Sequence, residues 1–78
     1  MLSPQQILDT YYLEARRDLL EVAALLDRYD AAVERENTPI NDEPAKLAMM
    51  RRALFQLAET SSPSSTRTAD LLELFATL

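Results

Sequence analysis

The sequence contains no cysteine, no histidine and no glycine, and each absence removes a class of structure or function. Without cysteine the chain cannot form a disulfide bond, and without cysteine and histidine it lacks the usual ligands of structural zinc. The same absences exclude a cysteine nucleophile, a histidine base and a glycine-rich phosphate loop. We therefore expect no enzymatic activity, no catalytic residue, no metal ligand and no cofactor.

Positive charge and long hydrophobic runs are also scarce. The 13 acidic residues outnumber the 8 basic residues, which gives a net charge of −5. This balance argues against a nucleic-acid partner, because binding phosphates requires a concentrated basic face. No apolar run approaches the length of a membrane span, and the first residues lack the basic start and apolar centre of a signal peptide. We expect a cytoplasmic protein that binds neither nucleic acid nor membranes.

A long helical pattern runs from Ser3 to about Glu36. Its apolar residues recur at intervals of four and three, the spacing of positions that share one helix face. They are Leu8, Tyr12, Ala15, Leu19, Val22, Leu26, Tyr29 and Val33. At the start of the pattern, Ser3 can act as N-cap, Pro4 suits the first helical position and Gln6 can complete a capping box. The sequence predicts a first helix over residues 4–36.

Two shorter helical patterns follow. The second helix is predicted over about 43–60, and its apolar seam is Leu47, Met50, Leu54 and Leu57. The third is predicted over about 63–77, and its face is Leu71, Leu72, Phe75 and Leu78. We expect one all-α domain, residues 1–78, in which the second helix lies antiparallel to the long first helix because the connection is short. A three-helix bundle and a hairpin-based dimer both fit this pattern.

The first helix carries more apolar surface than the other two helices can cover. It is about twice as long as the second helix, so its N-terminal half extends beyond that helix. A second, narrower apolar stripe lies on nearly the opposite side, formed by Leu13, Leu20, Ala24 and Ala31. The third helix is too short to cover both surfaces, and soluble monomers rarely expose large apolar patches. The sequence therefore predicts a homodimer that pairs through the first helix.

Tyrosines and arginines cluster on the first helix, and these residue types often anchor protein interfaces. Together with two leucines of the narrower stripe they form the candidate interaction surface, which is Tyr11, Tyr12, Leu13, Arg16, Arg17 and Leu20. The alternative is that Tyr12 packs in the core, Tyr11 lies at its flank and the two arginines are solvated.

Three carboxylates, Asp27, Asp30 and Glu34, share one face of the first helix. They suggest either a cation site or a stripe that Arg51 and Arg52 of the second helix neutralise. We favour the second interpretation, because di-iron helical bundles take histidine ligands that this chain lacks.

The leading functional hypothesis is a small non-enzymatic helical protein–protein interaction module that self-associates and has a further, unidentified protein partner. One alternative is a helical bundle that binds a small ligand or a metal ion. The other is an acidic, antitoxin-like regulator of a basic protein, which the net charge of −5 would suit. No motif in the chain is specific to one protein family.

Overall fold

The computed structural model describes residues 1–36, 43–59 and 66–77. These ranges contain three α-helices and no strand: α1 (Pro4–Glu36), α2 (Ala45–Ala58) and α3 (Arg67–Phe75). The predicted all-α class is therefore confirmed. The chain divides into two compact units, Met1–Pro39 and Ile40–Leu78. The single domain over residues 1–78 stays a prediction.

The start of α1 is fixed by the capping box that the sequence predicts. The backbone N–H of Ser3 donates to Oε1 of Gln6 over 2.8 Å, and the backbone N–H of Gln6 donates to Oγ of Ser3 over 3.2 Å. These reciprocal bonds satisfy amide groups that have no partner inside the helix. From this end α1 continues for 33 residues, about 50 Å.

The second unit is held together by packing between α2 and α3. Met49 and Ala53 on α2 and Leu74 on α3 are buried, and Leu71 packs against them while partly exposed. Ala53 is four residues after Met49, and Leu74 is three residues after Leu71, so each helix contributes one face. These three buried side chains are the core of the described part of the chain.

The contacting faces of α2 and α3 differ from the predicted ones. The predicted face of α3 was wrong at Leu72 and Phe75, which are exposed, while Leu74 lies in the core. On α2 the buried residues, Met49 and Ala53, lie beside the predicted seam rather than on it. The reason is that both short helices have apolar residues on more than one face, so periodicity alone does not select the buried one.

The helix boundaries follow the predictions to within a few residues where the structure describes them. Pro44 precedes α2, and Thr66 precedes α3 with its Oγ1 donating to Oδ2 of Asp70 over 3.1 Å. The predicted turns, the predicted third-helix start at Pro63, and Leu78 all lie outside the described residues.

The core position of Leu74 leads to a stability prediction. We expect Leu74→Ala to lower the free energy of unfolding by about 2–3 kcal/mol, because it removes buried methyl groups and leaves a cavity. Leu72→Ala is the matched control, since Leu72 lies in the same helix but is 68% exposed. It should cost less than about 0.5 kcal/mol. Denaturant unfolding followed by circular dichroism measures both, and equal losses would contradict the packing.

Candidate functional site

All six residues of the candidate interaction surface lie on α1, and all six are exposed. Leu13 has the largest exposed fraction among its apolar members, 72%. Tyr12 is 61% exposed, which contradicts the alternative in which Tyr12 is a core residue of this chain. Both tyrosines and both leucines are therefore accessible to a partner.

The six residues do not form one face of α1. Successive residues are rotated by about 100° around a helix axis. Five of the six therefore lie within an arc of about 140°, in the order Tyr12, Arg16, Leu20, Leu13 and Arg17. Tyr11 lies outside this arc, about 160° from Leu13. One partner helix cannot contact both ends of the set.

Two apolar surfaces run along α1 instead. We define the broad face as Ile7, Leu8, Tyr11, Tyr12, Ala15 and Leu19, and the narrow stripe as Leu13, Leu20, Ala24 and Ala31. Every residue of both surfaces is exposed. The broad face continues along the helix at Val22, Leu26 and Tyr29, where the side chains are half-buried. The exposed part of this face is thus its N-terminal part.

Leu8 and Leu19 belong to the exposed surface but were not among the predicted site residues. Their exposed fractions are 63% and 59%, close to that of Tyr12. The signal that identifies them is the length difference between the helices, since α1 has 33 residues and α2 has 14. The candidate set relied on tyrosine and arginine as residue types, and therefore omitted leucines of the same face.

The charged side chains in the N-terminal half of α1 differ in whether they are paired within the chain. Arg17 pairs with the adjacent Asp18 over 3.1 Å, with both side chains about two-thirds exposed. Asp9 accepts a hydrogen bond of 2.9 Å from the neutral amide of Gln5. Arg16 has no acidic partner among the residues that the structure describes. Asp9 and Arg16 are seven residues apart, so they lie on the same flank of the broad face.

The acidic stripe of Asp27, Asp30 and Glu34 was the candidate cation site. Within the described ranges, which include all three residues, no group of three acidic side chains is placed to hold a metal ion. Arg51 pairs with Glu43 over 2.8 Å. The pairing of Arg51 or Arg52 with Asp27 or Asp30 stays a prediction.

The second unit has an open groove of about 530 Å³ beside α2 and α3. Arg67 lines it and donates from Nη2 to the backbone oxygen of Glu59 over 3.2 Å, and Asp70 accepts from Thr66. Oε1 of Gln56, also in the lining, is buried and accepts no hydrogen bond from the described residues. Because the groove is open and its charged groups are partly engaged within the unit, the geometry does not indicate a particular ligand.

The helices were also assessed as membrane spans by their length and apolar character. Within residues 1–36, 43–59 and 66–77, no helix combines the length and the apolar character that crossing a bilayer requires.

Comparison of the chain with models of known protein families, with curated proteins and with solved structures found no significant match. The surfaces of the chain itself are therefore the basis for inferring its function.

Proposed function

We propose that this chain is a non-enzymatic helical interaction module that self-associates through the N-terminal half of α1. The observation that carries the proposal is the exposure of every apolar side chain between Ile7 and Leu20, on two sides of one helix. A helix that is apolar on several sides is normally covered by other elements. A partner that covers this half of α1 supplies the missing burial.

A second copy of the chain is the partner that requires the fewest additional assumptions. Closed twofold dimers are the commonest protein assembly and use the same surface twice. Full burial of three large apolar side chains on each copy contributes roughly 9–18 kcal/mol. This gain is comparable with the association cost of about 4–15 kcal/mol. We therefore expect a reversible, concentration-dependent dimer rather than an obligate one.

The proposal also includes the pairing of α1 with α2 as an antiparallel hairpin, which makes the assembly a hairpin-based dimer rather than an isolated three-helix bundle. Apolar residues at helical spacing in the C-terminal half of α1 and along α2 support this pairing. They are Leu26, Tyr29 and Val33 on α1 and Leu47, Met50 and Leu54 on α2.

The absence of an enzymatic role is part of the proposal. The chain has neither cysteine nor histidine, and in the described residues no serine hydroxyl is hydrogen-bonded to a carboxylate or a lysine. The alternative functions, a small-ligand or metal-binding bundle and an acidic regulator of a basic protein, have no specific observation in their favour.

The hairpin leads to a comparison of two adjacent leucines. We expect Leu26→Ala to lower the free energy of unfolding by about 2 kcal/mol, because a half-buried leucine lies at the low end of the range for core truncations. Leu25→Ala is the matched control, since Leu25 is 43% exposed and immediately precedes Leu26 in the same helix. Its cost should stay below about 1 kcal/mol. Urea denaturation of both variants measures the difference, and indistinguishable costs would count against the hairpin.

Self-association is tested by size-exclusion chromatography with light scattering over a concentration series. We expect a dimer for the unmodified chain, and a monomer for at least one of two double substitutions, Leu8→Glu with Tyr12→Glu or Leu13→Glu with Leu20→Glu. The first pair introduces charge on the broad face and the second on the narrow stripe. Buried charges without partners oppose association strongly.

The control for this experiment is Phe55→Glu with Leu72→Glu, because both side chains are 68% exposed and lie outside α1. This variant should remain dimeric, and circular dichroism should show unchanged helix content in all variants. If the unmodified chain stays monomeric at about millimolar concentration, or both α1 variants stay dimeric, self-association through α1 is wrong.

A further inference from the structure

We propose that the broad face of α1 binds the same broad face of a second copy, with the two helices antiparallel and the twofold axis level with the peptide between Leu13 and Glu14. This inference rests on the proposed function and adds the face, the direction and the register of the pairing. It commits to a second copy of this chain as the occupant.

In this arrangement the large and small residues of one broad face fit those of the broad face on the second copy. Leu8 and Leu19 lie at equal distances on either side of the axis, and so do Tyr12 and Ala15. Each Leu8 therefore faces Leu19 of the second copy, and each Tyr12 faces Ala15. A parallel pair in register would place tyrosine against tyrosine and alanine against alanine, which makes the spacing between the helices uneven. Close packing favours the large-to-small arrangement.

On one flank of the broad face the charges are complementary in the same register. A twofold axis perpendicular to two antiparallel helices brings the same flank of each helix together, so that residue i meets residue j and j meets i. On this flank Arg16 lies level with Asp9 of the second copy to within about 3 Å along the helix axis, and this pair occurs twice in the dimer. Arg16 has no acidic partner among the described residues, and Asp9 accepts only a neutral donor within them. Dimerisation would pair both charges.

On the opposite flank Glu14 lies almost level with Glu14 of the second copy, and this one like-charge pair offsets part of the gain from the two pairs of Arg16 with Asp9. Tyr11 lies level with Asp18 of the second copy to within about 3 Å along the helix axis. The phenol O–H of Tyr11 can donate to the carboxylate of Asp18, which accepts from Arg17 of its own chain over 3.1 Å. The broad face runs from Ile7 to Leu19, so the contact extends along about 13 residues, or roughly 20 Å. This length corresponds to the small interfaces of weak or transient complexes.

Charge reversal tests the register. Asp9→Arg and Arg16→Glu each turn two attractive pairs into two repulsive pairs, so each should weaken dimerisation about tenfold or more, as measured by analytical ultracentrifugation. The double variant D9R/R16E restores both pairs with opposite sign and should bind within about threefold of the unmodified chain.

Arg28→Glu is the matched control, because it makes the same charge change at an exposed residue of the same helix that lies beyond the proposed contact. It should change the dissociation constant by less than about threefold. A double variant as weak as either single variant, or a control as weak as Arg16→Glu, would overturn this register.

Disulfide trapping tests the direction, and the absence of native cysteine makes each introduced thiol unambiguous. In the antiparallel pair the two copies of position 8 lie 11 residues apart along the axis, about 16 Å, which exceeds the reach of a disulfide. Leu8→Cys alone should therefore give no covalent dimer under mild oxidation. A mixture of the Leu8→Cys and Leu19→Cys variants should give one. Leu72→Cys mixed with Leu19→Cys controls for random collisions.

The possible outcomes separate this inference from the proposed function. Covalent dimers from Leu8→Cys alone would show a parallel pair and overturn the antiparallel direction while leaving self-association intact. A dimer that is disrupted only by Leu13→Glu with Leu20→Glu would transfer the interface to the narrow stripe and likewise overturn the inference alone. A monomeric unmodified chain would overturn both proposals.

Discussion

The need to cover the apolar surface of α1 is the constraint on which the other features of this chain depend. A helix of 33 residues has more apolar side chains than helices of 14 and 9 residues can bury. The second unit uses part of its own apolar surface in the contact between α2 and α3, where Leu74 packs with Met49 and Ala53. Exposed leucines and tyrosines at the N-terminal half of α1 are the result, and they are the basis for proposing an assembly.

The sequence predicts local features of the fold well, because those features depend on residues close together in the chain. The capping bonds between Ser3 and Gln6 and the full length of α1 required only a pattern of neighbours and the absence of internal breakers. The buried face of α3 was not predicted correctly. Residues 71, 72, 74 and 75 are all apolar, so a helix of 9 residues offers several faces, and contact with α2 decides among them.

For the candidate site, the location of the six residues and their grouping on the helix are separate questions. Its location on the N-terminal half of α1 was chosen from the tyrosines and arginines there, and all six residues are exposed. The grouping of the six residues was less accurate, because Tyr11 and Leu13 are near in sequence but lie on different sides of the helix. Leu8 and Leu19 extend the broad face and are recognised by exposure and position rather than by residue type.

The capping box at the start of α1 has a consequence for how a partner would meet this surface. Hydrogen bonds between Ser3 and Gln6 hold the first turn closed in the single chain, directly before Ile7 and Leu8. The backbone that carries these side chains is thus already ordered before any encounter. A disordered segment would lose conformational entropy of about 1–2 kcal/mol for each residue fixed on binding. Ordering of this turn during folding would remove that loss from binding, so that a small contact surface would suffice for reversible recognition of the proposed partner.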